Sequence, residues 1–108
     1  MSLDSIGLTK EQYEASLNNL REAKINMDLR RIDRAIRFLN EDLRFRLSIQ
    51  SETKRRVHKG AVYHNLGLCY LFEENADLNK AIRNFLLAYI EDYVSNAPFI
   101  EAAELGEA

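Results

Sequence analysis

The sequence predicts an all-α protein, in which four main helices form antiparallel hairpins and a short C-terminal helix follows. Apolar residues recur at steps of three and four along most of the chain, which is the period of a helix with one buried side. The 108 residues contain one Pro and four Gly, so few positions would interrupt a helix. The two-residue alternation that marks strands is absent from the sequence. A chain of this length fits one domain, 1–108.

The first predicted helix begins after Thr9. Thr9 followed three residues later by Gln12 has the form of a capping box, in which each side chain bonds the backbone N–H of the other residue. The helix would span residues 10–24. Its apolar side would consist of Tyr13, Leu17 and Leu20. Asn26 and Asp28 then predict a turn and the N-cap of the next helix.

The second predicted helix is long and amphipathic and would span about residues 29–49. Its apolar stripe has steps of three and four residues and consists of Leu29, Ile32, Ile36, Leu39 and Leu43. Arginine residues fill much of the opposite side, which we expect to face solvent. The first two helices would form a hairpin over 10–50.

Two starts are open for the third helix. Ser51 would be a good N-cap, and residues 51–58 contain no Gly or Pro, which favours a long helix from Ser51 to about Glu73. The alternative is a start near Lys59, with 51–58 as a loop. We take the long helix as the prediction.

The fourth predicted helix begins after Asp77, a residue type that is favoured at the N-cap. Residues 74–76 would form the preceding turn, and residues 95–98 would end the helix. Its wide apolar face would consist of Leu78, Ala81, Ile82, Phe85, Ala88, Tyr89 and Tyr93. Pro98 fits the first turn of a short last helix over 98–105. The third and fourth helices would form a second hairpin over 51–94.

The second hairpin resembles a tetratricopeptide repeat. The residues that carry the resemblance, which would form the core of the repeat, are Tyr63, Leu66, Gly67, Tyr70, Ala81, Phe85 and Ala88. Gly67 and Ala81 would let the two helices approach closely. The resemblance implies a right-handed helical repeat that serves as a scaffold for a protein or peptide partner. Between Tyr63 and Ala81 the turn is longer than the family's pattern, and Tyr93 stands where a Pro often closes the unit.

The first hairpin only echoes the repeat. Residues 34–37 (Arg-Ala-Ile-Arg) match residues 80–83 (Lys-Ala-Ile-Arg), but residues 10–26 lack the Leu-Gly pair of the first-helix pattern. We expect a degenerate repeat here, and a plain four-helix bundle is the alternative. Each repeat unit buries its face against a neighbour. The open ends therefore predict a cap formed by the last helix, a stacked second chain, or a longer protein of which this chain is a fragment.

Motifs favour binding over catalysis. His58 and His64 are six residues apart and would point to different sides of a helix, so they predict no metal site. The single Cys69 excludes an internal disulfide and is typical of a small buried hydrophobic residue. With no phosphate-binding loop and no nucleophile motif, we expect a non-catalytic chain without a cofactor. No signal-like or membrane-spanning apolar run is present, which predicts a cytoplasmic protein with no membrane contact.

The resemblance also implies a partner site on the concave side of the repeat. Its lining would be Ala61, His64, Leu68, Leu71 and Phe72. The apolar residues among them predict a hydrophobic peptide, a partner helix, or a second subunit in a homodimer. The alternative is that the first or last helix covers this face.

The uneven distribution of charge predicts a second candidate binding surface. Residues 21–59 contain twelve of the fifteen Lys and Arg residues. The basic patch would consist of Arg30, Arg31, Arg34, Arg37, Lys54, Arg55, Arg56 and Lys59. Such a patch permits RNA or DNA binding, although the pI of about 5.7 argues against a dedicated nucleic-acid binder. The predicted function is protein–protein interaction or self-assembly. Nucleic-acid binding and an accessory role in a larger enzyme are the alternatives.

Overall fold

Residues 6–72 and 76–95 are described by the computed structural model of the chain. They form four helices, α1 (Lys10–Asp28), α2 (Ile32–Thr53), α3 (Gly60–Phe72) and α4 (Leu78–Ser95), and contain no strand. The all-α prediction is confirmed for this part of the chain. The predicted short helix over 98–105 and most of the predicted turn at 74–76 lie outside the described residues.

The N-caps predicted for α1 and α4 are confirmed. The Thr9 backbone N–H donates to Gln12 Oε1 at 2.9 Å, and the Gln12 backbone N–H donates to Thr9 Oγ1 at 3.2 Å. At the start of α4, the Lys80 backbone N–H donates to Asp77 Oδ1 at 3.0 Å. Both caps bond backbone N–H groups that have no partner within the first turn of a helix.

The predicted turn at Asn26 and Asp28 is wrong, because α1 continues through both residues. Asn26 Nδ2 donates to the Glu22 carbonyl at 2.7 Å, so this side chain bonds the helix it belongs to. The helix ends at Asp28, and the C-cap residue Leu29 donates its backbone N–H to the Ile25 carbonyl at 3.0 Å. Leu29, expected in the apolar stripe of the second helix, lies in the turn before α2 and is 55% exposed.

The buried side of α2 differs from the predicted stripe. It consists of Ile32, Ala35, Leu39, Asp42, Arg46 and Ile49. Ile36 and Leu43, which the predicted stripe included, are only partly buried against the core. The apolar residues of this buried side are spaced three and four residues apart. Asp42 and Arg46 continue the same spacing, although both are charged.

The predicted long third helix is wrong. α2 runs through Ser51 to Thr53, so Ser51 is not an N-cap, and α3 begins only at Gly60. Lys54 closes α2 with a left-handed backbone (φ 59°), and its N–H donates to the Gln50 carbonyl at 3.0 Å. Residues 54–59 join the two helices and are called the connecting segment from here on. The alternative start near Lys59 agrees with the structure.

The helices pack as two hairpins. α1 packs against α2, α3 packs against α4, and α2 contacts α3 between the hairpins. The core is formed mainly by α1, α2, α3 and the residues just before α1 and α3. It contains Ile6, Leu8, Tyr13, Leu17, Leu20, Ala23, Ile32, Ala35, Leu39, Ile49, Val57, Val62, Leu66 and Cys69. Cys69 is buried there and is not part of a disulfide.

Candidate functional site

The residues of the predicted repeat core lie mostly between α3 and α4. Leu66, Gly67, Ala81 and Ala88 are buried, and the aromatic residues Tyr63, Tyr70 and Phe85 are half-buried. A Cβ atom placed on Gly67 would lie 2.6 Å from Phe85 Cε1, so the Phe85 ring occupies the space that the glycine leaves open. Burial raises the pKa of Tyr63, and the nearby negative charge of Glu91 raises it further.

The outward side of α4 carries a continuous set of exposed apolar residues. Seven large apolar side chains of this helix are between 51% and 80% exposed: Leu78, Ile82, Leu86, Tyr89, Ile90, Tyr93 and Val94. Asn79, Ile82, Arg83, Leu86, Leu87 and Ile90 line a shallow groove along this side. The predicted apolar face of the fourth helix thus divides in two. Ala81, Phe85 and Ala88 pack toward α3 or are buried, while Leu78, Ile82, Tyr89 and Tyr93 face outward.

The five residues predicted to line the concave face lie on α3. Leu71 and Phe72 are 40% and 54% exposed, whereas Ala61 and Leu68 are half-buried. His64 is exposed, and its ring centroid lies 5.7 Å from that of Phe85. The Arg30 guanidinium lies over the Phe72 ring, with Cζ 5.7 Å from the ring centroid. The most exposed apolar part of this face is therefore at the C-terminal end of α3, beside the turn between α1 and α2.

The predicted basic patch is divided between two ends of the molecule. Arg30 and Arg31 precede α2 and Lys54 follows it, and a helix of 22 residues is about 33 Å long. Arg31, Arg34 and Arg37 line a surface depression together with Glu22, Ile25, Asn26 and Phe38. Lys54 and Arg55 are exposed at the other end of α2. Arg56 is paired with Glu91, although its side chain is 45% exposed. Lys59 is buried and therefore does not extend an open basic surface.

A buried polar cluster lies where α1, α2 and the connecting segment meet, and the sequence analysis missed it. Arg46 on α2 is fully buried and holds the centre of the cluster. Its Nε donates to Asp42 Oδ2 at 3.0 Å, its Nη2 to Ser16 Oγ at 2.7 Å, and its Nη1 to the His58 carbonyl at 2.6 Å. One guanidinium therefore links two helices to the backbone of the connecting segment.

The connecting segment is held on its other side by the C-terminal half of α4. The Lys59 backbone N–H donates to Glu91 Oε1 at 2.9 Å, and Lys59 Nζ lies 3.0 Å from the same oxygen. Lys59 Nζ also donates to Gln50 Oε1 at 2.9 Å and to the Val57 carbonyl at 2.7 Å. The second oxygen of the Glu91 carboxylate pairs with Arg56. Both members of the buried Lys59–Glu91 pair therefore have further hydrogen-bond partners. Such partners are needed because a buried charge without them would be strongly destabilising.

Asp92 adds a second carboxylate contact to the same segment. His58 is 1% exposed at its side chain, and its Nε2 lies 2.9 Å from Asp92 Oδ1. A Cβ atom on Gly60 would overlap Asp92 Oδ1 and would lie 2.7 Å from the His58 ring, so the close approach requires a glycine. These donors and acceptors are directed at one another and at the backbone, and the arrangement fixes the connecting segment between α2 and α4.

The described residues contain neither a metal-binding group nor a membrane span. No group of three or more His, Cys, Asp or Glu side chains in the described part of the chain could hold a metal ion. None of the four helices is both long enough and apolar enough to cross a bilayer. Comparison with known proteins gave no match: no protein-family model, no curated protein and no solved structure matches the chain.

Proposed function

We propose that this chain is a non-catalytic module for protein–protein interaction or self-assembly, of the tetratricopeptide repeat type, and that its main contact surface is the outward side of α4. The observation that carries the proposal is the set of seven exposed apolar side chains on that helix. Each of the seven is more than half exposed, whereas soluble monomers rarely expose contiguous apolar patches larger than a few hundred Å². A patch of this kind is typical of a surface that another protein covers.

The position of the patch agrees with the repeat interpretation. In a helical repeat array, each unit buries one face against its neighbour, and an end unit has a face that no neighbour covers. α4 is the second helix of the hairpin that resembles a repeat, and its inward side packs on α3 through Phe85 against Gly67. Its outward side corresponds to the face that a following unit or a partner helix would cover in such an array.

The test compares association of the wild-type chain with that of Leu86→Asp. Leu86 is 58% exposed, so the substitution should leave the fold intact and place a charge at the centre of the patch. Leu47→Asp is the matched control, because Leu47 is an exposed leucine on α2. The measurements are molar mass by light scattering and affinity capture from lysate, with circular dichroism to verify helicity.

We expect the wild type and Leu47→Asp to associate with protein, either a second copy or a captured partner, and Leu86→Asp to lose that association. Equal association of all three proteins would contradict the proposed surface. Phe72→Asp tests the alternative surface at the end of α3. Loss of association in Phe72→Asp, with Leu86→Asp unaffected, would place the contact on the concave face instead.

A further inference from the structure

The outward side of α4 has the residue spacing of a two-helix seam. Asn79, Ile82, Leu86, Tyr89 and Tyr93 follow one another at steps of three, four, three and four residues. At about 100° per residue, these five positions fall within roughly 80° of one another around the helix. Steps of three and four that alternate in this way are the pattern with which one helix packs along another. The patch is therefore shaped for a helix, and a helix lying along α4 would contact all five side chains.

The same spacing is self-complementary. Ile82, Leu86, Tyr89 and Tyr93 have steps of four, three and four, an order that reads identically in both directions. Two copies of α4 in antiparallel orientation would place Ile82 level with Tyr93 of the second copy, and Leu86 level with Tyr89. Each layer then pairs an aliphatic with an aromatic side chain, and a two-fold axis relates the two layers on either side of the centre.

We propose that the occupant of this face is a second copy of the chain, with the two α4 helices antiparallel across a two-fold axis. This inference rests on the proposed function and names its partner. Each copy offers to the seam four apolar side chains that are between 57% and 80% exposed, namely Ile82, Leu86, Tyr89 and Tyr93. The seam positions carry no charge, since their polar groups are the Asn79 amide and the hydroxyls of the two tyrosines. Self-pairing therefore brings no like charges together along the seam.

The first experiment measures oligomeric state by sedimentation equilibrium of the full chain. The wild type and Leu47→Asp should be dimers. Leu86→Asp should be a helical monomer whose dimer dissociation constant is larger by at least about 100-fold, because each dimer would bury two unpaired charges. A wild-type chain that stays monomeric at all concentrations, or a Leu86→Asp chain that dimerises like the wild type, would overturn the inference.

The second experiment tests the antiparallel register by disulfide formation. An Ile82→Cys chain is mixed with a Tyr93→Cys chain under mild oxidation, with the buried native Cys69 left in place. The antiparallel arrangement predicts cross-linking of Ile82→Cys to Tyr93→Cys in excess over either self-linked product. Predominant self-linking of each variant would indicate a parallel pair and would overturn the proposed geometry.

Two outcomes distinguish a wrong occupant of this face from a wrong proposed function. A monomeric wild type that captures a different protein, with the capture lost in Leu86→Asp and retained in Leu47→Asp, would overturn the second copy as the occupant. That result would leave the interaction function supported. A monomeric wild type whose captured proteins are unaffected by Leu86→Asp would contradict both.

Discussion

At the scale of single residues, the Glu91 carboxylate has the most consequences for stability. It accepts from the Lys59 backbone N–H, lies 3.0 Å from Lys59 Nζ, and pairs with Arg56 through its second oxygen. Glu91 and Lys59 have side chains only 7% and 6% exposed. Loss of one partner of a buried pair is strongly destabilising, because the other partner remains buried with an uncompensated charge.

We expect Glu91→Ala to lower the free energy of unfolding by about 3 kcal/mol, because Lys59 would be left buried without its counter-charge. Urea denaturation followed by circular dichroism measures the change. Glu52→Ala is the matched control, since Glu52 is an exposed glutamate on α2 and its loss should change stability by less than about 0.5 kcal/mol. Equal effects of the two substitutions would show that the cluster does not stabilise the fold.

The sequence was least informative about which charged residues are buried. Lysine is almost always exposed in proteins, so residue type predicts Lys59 on a basic surface, whereas the structure buries it against α4. A signal did exist in α2, where Asp42 and Arg46 continue the buried spacing of Ala35 and Leu39. Opposite charges four residues apart on a buried stripe indicate an internal ion pair, but the partner elements cannot be identified before the fold is known.

At the scale of elements, the starts of α1 and α4 could be predicted, whereas the starts of α2 and α3 and the ends of α1 and α2 could not. Thr9 and Asp77 have N-cap side chains whose hydrogen bonds are local in sequence, so both starts followed from residue type. α1 and α2 end without the glycine that commonly closes a helix: Arg30 and Lys54 adopt positive φ values of 60° and 59°. Nothing in residue type marks these positions as helix ends, so the predicted ends, at residues 24 and about 49, lie about four residues before the observed ends at Asp28 and Thr53.

The left-handed backbone at Lys54 leads to a prediction. A residue with a Cβ atom is disfavoured in this conformation and glycine is not, so Lys54→Gly should raise the free energy of unfolding by about 0.5–1 kcal/mol. Urea denaturation is the measurement. Lys54→Ala, which keeps the Cβ atom, is the control and should not stabilise the protein. A loss of stability in Lys54→Gly would show that the lysine side chain matters more at this site than the backbone strain.

The two sides of α4 illustrate a further limit of the sequence. The spacing of residues 78–93 predicts a wide apolar face, but periodicity alone does not say how much of such a face the same chain covers. In the structure α3 packs on one side of the helix, and Leu86 and Tyr93 remain exposed on the other. Which residues of α4 are covered depends on the position of α3. The connecting segment sets that position, and the buried polar cluster holds the connecting segment.

At the scale of the whole molecule, the proposed dimer makes stability depend on protein concentration. Because a dimer unfolds to two chains, the Tm of the wild type should rise as the concentration is increased. The Tm of Leu86→Asp should not change over the same range, since that variant is expected to unfold as a monomer. Differential scanning calorimetry across a 100-fold range of concentration tests this. A wild-type Tm independent of concentration would contradict a dimer linked to folding.

The contacts of Glu91 and Asp92 have one more consequence, which concerns the rotation of α4 about its own axis. Both carboxylates are directed at the connecting segment, where they contact Arg56, His58 and Lys59. Rolling the helix to turn Leu86 inward would break all of these contacts at once. The polar side of α4 thus fixes the helix in a single rotational setting, and that setting keeps the opposite, apolar side turned toward solvent, where an incoming helix could reach it.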